Sequence, residues 1–331
     1  MNDAGELSMA NTYFITGGAG NVARQLAGQF VAAGHRTVLV DIVEPPEVDR
    51  IFGCETLRAD LTEPEQIDSA LGRFRPDTII HLASLLSGKC ELDRAHAWRV
   101  NVTGSFELFE AALRHDVRTF FFTSTAATYG GDLPEQLPGD QPQWPQGIYG
   151  VGKVAVERLG NYYHSRHGLD FRSIRLPIVI SRYAHSGASS AYASMAFIES
   201  VSSGTYTFRV HPQTRVASVY ILDALAAIRG ILDAPAAALT RRVYNIQSVS
   251  PSAQEIADAI TASCDEYRFE FNPDPELCRL VDSWPQSFDD RAARSDWNWS
   301  PKYDLDALAR HFIEELRSES ADARRLPAAG R

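Results

Sequence analysis

The stretch from Thr12 to Ala23 constrains the fold more than any other. Thr12-Tyr13-Phe14-Ile15-Thr16 is a β-branched and aromatic run, and glycines follow at once at 17, 18 and 20. Val22, Leu26, Phe30 and Val31 then recur at helical spacing, with Gly34 placed to end the helix. A buried strand that turns straight into a helix opens a strand–helix–strand unit, whose next strand runs parallel to the first. The cycle repeats, with further strands expected at 37–40, 56–59, 78–81, 119–124 and 171–180. Helices are expected at 64–74, 98–114 and 149–165. Near-continuous apolar strands separated by helices predict an α/β fold, a doubly wound parallel sheet with both faces covered. The segment 130–147 holds four prolines and must be a loop.

Beyond residue 181 the pattern loosens. Residues 182–190 are rich in Ser, Gly and Ala, and helices are expected at 191–203, 222–232, 252–263 and 304–317. Residues 11–180 are therefore expected to form the main domain and 181–317 a small discontinuous cap, with 1–10 and 318–331 as tails. The 331 residues are ample for a sizeable core. A net charge of −10 disfavours a nucleic-acid partner. No apolar run is long enough for a membrane span. Cys54, Cys90, Cys264 and Cys278 lie far apart, so reduced core cysteines are expected and neither a disulfide framework nor a metal site is. The short, polar and acidic start reads as neither a secretion signal nor a transit peptide, which points to the cytoplasm.

Thr16-Gly17-Gly18-Ala19-Gly20-Asn21-Val22-Ala23 is G-x-x-G-x-x-A, a variant of the Rossmann dinucleotide fingerprint. Glycines let the backbone approach a pyrophosphate, whose charge the helix N-terminus favours. Gly17, Gly20, Asn21 and Val22 are the candidate contacts at that turn. Asp41 ends the second strand, followed by Ile42 and Val43. A carboxylate there can accept from ribose hydroxyls and would repel a 2′-phosphate, so NAD is expected rather than NADP. Asp60-Leu61 could address the adenine. Leu82-Ala83-Ser84 ends a strand where the chain would pass the pyrophosphate and nicotinamide, while His81 before it reads as a packed residue.

Tyr149 and Lys153 are spaced i and i+4, so they share one helix face. A tyrosine is a poor base at neutral pH, and an ammonium one turn away would favour the phenolate. Thr123-Ser124-Thr125 ends the preceding strand with a hydroxyl able to hydrogen-bond a substrate oxygen.

With these residues the chain resembles the extended short-chain dehydrogenase/reductase superfamily from about Thr12 to Arg317. The match runs through the glycine turn, Asp41, Asp60, Asn101, Thr125-Ala126-Ala127-Thr128-Tyr129-Gly130, Tyr149-x-x-x-Lys153 and Arg175-Leu176-Pro177. The resemblance implies Thr125 on the reacting oxygen, Tyr149 as general acid/base, and Lys153 holding ribose and tuning Tyr149. It also implies Pro177 beside the nicotinamide and Asn101 in the supporting network. Within the superfamily the chain is most similar to the short-chain type of L-threonine 3-dehydrogenases. That likeness rests on Leu82-Ala83-Ser84-Leu85-Leu86-Ser87, Asn161-Tyr162-Tyr163-His164, 170–175, 283–287, Asp296-Trp297-Asn298-Trp299 and Tyr303-Asp304-Leu305-Asp306. It implies oxidation of a secondary alcohol of a small-molecule substrate, with Ser87 as a substrate contact.

One departure is informative. Where that group carries Thr-Thr-Asp before Tyr-Ala, this chain has Ser189-Ser190-Ala191 before Tyr192-Ala193. Losing a charged hydrogen bond to an ammonium costs on the order of 1–3 kcal/mol, which points away from L-threonine and towards a hydroxy acid. The stretch with Gln213-Thr214-Arg215 is similar to dehydrogenases of hydroxy acids such as D-erythronate. Ser189 and Ser190 are then candidate substrate contacts, and Arg215 a candidate carboxylate clamp. A nucleotide-sugar epimerase with tightly held NAD is the alternative enzyme. Dehydration is disfavoured, because Ala126 stands where dehydratases carry an acidic pair. A non-catalytic NAD sensor is the alternative of another class, against which Thr125, Tyr149 and Lys153 all speak. The resemblance also implies a homodimer formed through the helices that begin near Trp98 and Tyr149.

Overall fold

The strands and helices form where apolar side chains recur at periods of two and 3.6. The computed structural model describes residues 10–44, 50–131, 133–184, 188–263 and 266–325. Cys264 lies outside them. The chain divides into two compact units, one within 1–128 and 145–174, the other within 129–144 and 175–331.

In chain order the elements begin with β1 (Thr12–Thr16), α1 (Asn21–Ala32), β2 (Arg36–Asp41), β3 (Glu55–Arg58), α2 (Pro64–Phe74) and β4 (Thr78–His81). Then come α3 (Ser87–Leu92), α4 (Arg94–Trp98), a π-helical turn at Arg99–Thr103, α5 (Gly104–Arg114) and β5 (Thr119–Thr125). The short β6 (Gln136–Leu137), which belongs to the second unit, precedes α6 (Ile148–His167) and β7 (Asp170–Leu176). In the first unit the strands lie in the order β7-β5-β4-β1-β2-β3, and the pairs from β5 to β3 are parallel. The chain fills one side of β1 with β2 and β3, then crosses to fill the other. The order therefore reverses between β1 and β4, the place where doubly wound sheets open a crevice at their carboxyl ends. Four consecutive residues of β1 (13–16) and all four of β4 are buried. Neighbouring strand residues face opposite ways, so both faces of the sheet are covered.

Two expected elements are interrupted. The helix expected at 98–114 carries the π-helical turn before α5. The strand expected at 171–180 ends at Leu176 and resumes after Pro177, whose nitrogen has no hydrogen to give a ladder.

The second unit continues with β8 (Ile178–Ile180), α7 (Tyr192–Ser203), β9 (Thr205–Phe208), β10 (Ser218–Tyr220), α8 (Ile221–Asp233) and β11 (Val243–Asn245). It ends with α9 (Ala253–Ser263), β12 (Arg268–Phe271), α10 (Pro275–Asp282), β13 (Ser287–Phe288), α11 (Arg291–Trp297) and α12 (Leu305–Arg325). Its parallel pairs β8–β10, β9–β12 and β6–β13 are small. Phe208 stacks on Phe271 across the β9–β12 pair. Part of the stretch that composition marks as a tail is helical, since α12 runs to Arg325. No helix among the described residues is long and apolar enough to cross a membrane.

In the first unit α6 lies close on β7. A methyl group at Gly160 would fall 2.2 Å from the Phe171 ring. Gly160→Ala should therefore destabilise the protein by about 1–3 kcal/mol of overpacking, partly offset by the roughly 0.5–1 kcal/mol that alanine gains in a helix. A urea midpoint at or above that of the unmutated protein would contradict this packing.

Candidate active site

The turn after β1 is built for close approach. Gly17 has φ +72°, and a Cβ there would lie 2.7 Å from the Ala83 nitrogen. A Cβ on Gly18 would lie 2.7 Å from the Val40 nitrogen. The turn is thereby pressed against the ends of both β4 and β2. Gly20 is the N-cap of α1, no side chain caps that end, and the first turn, with Asn21 and Val22, holds no acid. The first N–H groups of the helix are left to a ligand, in the manner of an anion site. Asp41 stands beside the turn, accepting from Ala19 N–H at 3.0 Å and Val43 N–H at 3.2 Å. Ile42 is exposed and accepts at its carbonyl from Arg58 Nε at 3.1 Å, a neighbouring cation that the sequence reading missed. Asp60 accepts from the Thr62 N–H and hydroxyl, both at 2.8 Å, and Leu61 is buried beside it.

One hydrogen-bond chain fixes the β4 end. Ser105 donates its hydroxyl to the Asn101 carbonyl at 2.6 Å, so it accepts from His81 Nε2 at 2.8 Å. His81 Nδ1 must then accept from the Thr16 hydroxyl at 2.7 Å, which in turn accepts Ala83 N–H at 3.3 Å. Burial and the Lys153 charge hold the ring down to about 3, so it is neutral and packed, as expected. Asn101, in the π-helical turn, spends its amide on Leu85: Oδ1 accepts Leu85 N–H at 2.8 Å and Nδ2 donates to Leu85 O at 3.0 Å. Leu82, Ala83 and Ser84 are part-exposed between these two anchors, and Ser84 donates to the Leu85 carbonyl. Ser87, the first residue of α3, is exposed.

Thr125, Tyr149 and Lys153 come together in the same unit. A methyl group at Gly150 would fall 2.2 Å from the Ala127 carbonyl oxygen, so only glycine lets α6 settle onto the turn after β5. Glu91 of α3 accepts Ile148 N–H at 2.9 Å and thus caps the start of α6. Thr125 lies beside Tyr149 and acts on its hydroxyl in the direction that lowers it. Burial nevertheless pushes the Tyr149 hydroxyl well above its ordinary value. The Lys153 ammonium donates to the Thr123 carbonyl at 2.8 Å and lies over the Phe122 ring at 4.5 Å. Its distance to the Tyr149 ring centre is 5.6 Å. Burial lowers Lys153 from its ordinary 10.5 to about 7. Two neighbours were invisible to the sequence reading. Cys90 of α3 donates to the Leu85 carbonyl, and Glu157 of α6 accepts the Ser124 hydroxyl at 2.5 Å.

The remaining candidates lie in the second unit. Pro177 is buried between β7 and β8, and Ser189 and Ser190 are part-exposed just before α7. Ala191 is 5% exposed. Arg215 requires a correction: it pairs with Glu255 at 2.5 Å and also donates to the Ser250 carbonyl. Its terminal nitrogens serve the local fold, so it is not a free carboxylate clamp.

The buried lysine gives a stability signature. Between about 7 and 10.5 the unfolded chain holds a proton on Lys153 that the folded chain has lost, so stability rises with pH there. From pH 7 to 9 the unmutated protein should gain stability relative to Lys153→Met, by up to about 1.4 kcal/mol per pH unit. Parallel pH profiles in chemical denaturation would contradict this.

The model of the NAD dependent epimerase/dehydratase family matches residues 13–246. The chain is 34% identical over 310 residues to the mitochondrial L-threonine 3-dehydrogenase of Bos taurus, covering 92% of this chain and 83% of that one. Its structure is similar to L-threonine dehydrogenase from Clostridium difficile, with TM-score 0.87, 31% identity and coverage of 94% and 98%. It is also similar to an L-threonine 3-dehydrogenase from a metagenome, described as monomeric, with TM-score 0.83, 29% identity and coverage of 93% and 99%. A dinucleotide cradle on this sheet, with matches of this extent, makes the chain a member of the NAD dependent epimerase/dehydratase family and an NAD-dependent enzyme of the extended short-chain dehydrogenase/reductase type.

Proposed function

We propose that this enzyme oxidises the secondary alcohol of a small hydroxy acid or β-hydroxy amino acid, with Thr125, Tyr149 and Lys153 handling the proton. The observation that carries the reading is the convergence of three side chains at the end of β5: Thr125 beside Tyr149, and Lys153 one turn along α6 on the Thr123 carbonyl. The cradle suits the cofactor: Gly17 and Gly20 admit a pyrophosphate, the uncapped first turn of α1 faces its charge, and Asp41 stands ready for ribose hydroxyls. Asp41 favours NAD over NADP on the same ground. When bound, NAD supplies the hydride acceptor.

The protein residues then divide the remaining work. Thr125 hydrogen-bonds the substrate oxygen and turns it towards Tyr149. The Tyr149 phenolate takes the hydroxyl proton as the C–H bond breaks. Burial opposes that phenolate, and an ammonium on Lys153, one turn along α6 and 5.6 Å from the ring centre, is placed to offset it. Tyr149→Phe keeps the ring and removes the proton carrier, so kcat should fall by roughly 10²–10⁴ with NAD binding retained. A variant that keeps most of its turnover would assign the proton to another residue.

The substrate side rests on Ala191. Ala191 is buried and carries no charge, and the sequence resemblance implies an aspartate at that position in the threonine dehydrogenases. By that resemblance the segment lacks the anion that an α-amino group would need, while Ser189 and Ser190 keep two hydroxyls. The test is NADH formation from a panel of hydroxy acids and L-threonine, with NAD and NADP compared. A hydroxy acid with NAD should lead, and Ala191→Asp should raise L-threonine turnover relative to it by roughly tenfold for each 1.4 kcal/mol restored. Equal efficiency of the unmutated enzyme with L-threonine would overturn this choice of substrate.

A further inference from the structure

Glu157 is an unusual residue to find where it is. It is 0% exposed, on the face of α6 that also buries Lys153. Four residues separate the two, the spacing at which side chains on a helix meet. Burying a carboxylate is costly unless it is hydrogen-bonded or paired. Here Ser124, 2% exposed, donates its hydroxyl to Glu157 Oε1 at 2.5 Å. Ser124 lies between Thr123, whose carbonyl receives the Lys153 ammonium, and Thr125, which meets Tyr149. Three successive residues of β5 thus hold three residues of α6 at i, i+4 and i+8.

The groups facing Lys153 come from four elements. Tyr149 and Glu157 lie on α6, Cys90 on α3, His81 on β4, and Phe122 with the Thr123 carbonyl on β5. Burial pushes both the Cys90 thiol and the Tyr149 hydroxyl above their ordinary values, so neither is an anion at neutral pH. His81 is neutral and hydrogen-bonded at both nitrogens. Cys90 and, after it, Glu157 act in the direction that keeps a proton on Lys153, and of the two only Glu157 is a carboxyl group.

We propose that Glu157, anchored by Ser124, is a positioning residue that keeps Lys153 in its charged form beside Tyr149. The inference rests on the proposed role of Lys153, which needs an ammonium both to favour the phenolate and to meet the cofactor ribose. Glu157 touches neither substrate nor cofactor in this account. It acts through Lys153.

The chain has three lysines, Lys89, Lys153 and Lys302, so the Lys153 ammonium can be followed by NMR in protein labelled with carbon-13 lysine. Its signal is identified by its loss in Lys153→Arg. Glu157→Gln keeps an acceptor for Ser124 and removes the charge, and it should lower the Lys153 titration midpoint by about one pH unit or more. An unchanged midpoint in a folded Glu157→Gln protein would overturn the proposal. Glu157→Asp keeps the charge on a shorter reach, so its midpoint should fall between those of the other two proteins. If Glu157→Gln does not fold, an Asp variant titrating with the unmutated protein would equally overturn it. The titration uses no cofactor or substrate, so its outcome is separate from the test of which alcohol is oxidised. With a substrate in hand, the alkaline limb of kcat/KM should move to lower pH in Glu157→Gln by the same amount, while a merely structural role would lower the whole profile without moving that limb.

Discussion

A methyl group at position 150 would sit 2.2 Å from the Ala127 carbonyl oxygen, so α6 can rest on the turn after β5 only with glycine there. Gly160 meets the same demand ten residues later, against the Phe171 ring. Held down at both points, α6 brings Tyr149 to Thr125, Lys153 to the Thr123 carbonyl and Glu157 to Ser124. If this helix stood off by the width of a methyl group, each of those contacts would be lost, and Lys153 and Glu157 would regain water. The unusual ionisation of the site follows from how tightly one helix lies on one strand.

The same close packing organises the cofactor side. Gly17 and Gly18 press the first turn against the ends of β4 and β2, and the strand order reverses beside them. A directed chain of hydrogen bonds from Ala83 through Thr16, His81 and Ser105 to Asn101 then locks the β4 end. Asn101 clamps Leu85 from a π-helical turn, a local widening of a helix of the kind often found at functional sites. Backbone held on both sides of the crevice is the preorganisation that the proposed hydride transfer needs.

Much of this was legible in the residues. The glycine turn, Asp41 and the Tyr149–Lys153 spacing have local signatures, and so do the strands whose bounds follow apolar runs. His81 could be read as packed because it sits inside such a run. Glu157 and Cys90 could not be found that way. A glutamate in the middle of a helix reads as a solvated face, and only the approach of β5 shows that it is buried. Arg215 failed for the complementary reason, since an arginine with no visible partner reads as free until Glu255 folds against it.

The central claim is that this site carries hydride from a carbinol carbon to NAD and releases both products. The most direct measurement uses a hydroxy acid deuterated at that carbon, followed by mass analysis of the free nicotinamide cofactor after turnover. Deuterium in released NADH, one atom for each molecule of oxidised acid, is the result the account predicts. Turnover that leaves the deuterium on the organic product, with no reduced cofactor released, would contradict it and place the chain with enzymes that return the hydride to the carbon they took it from.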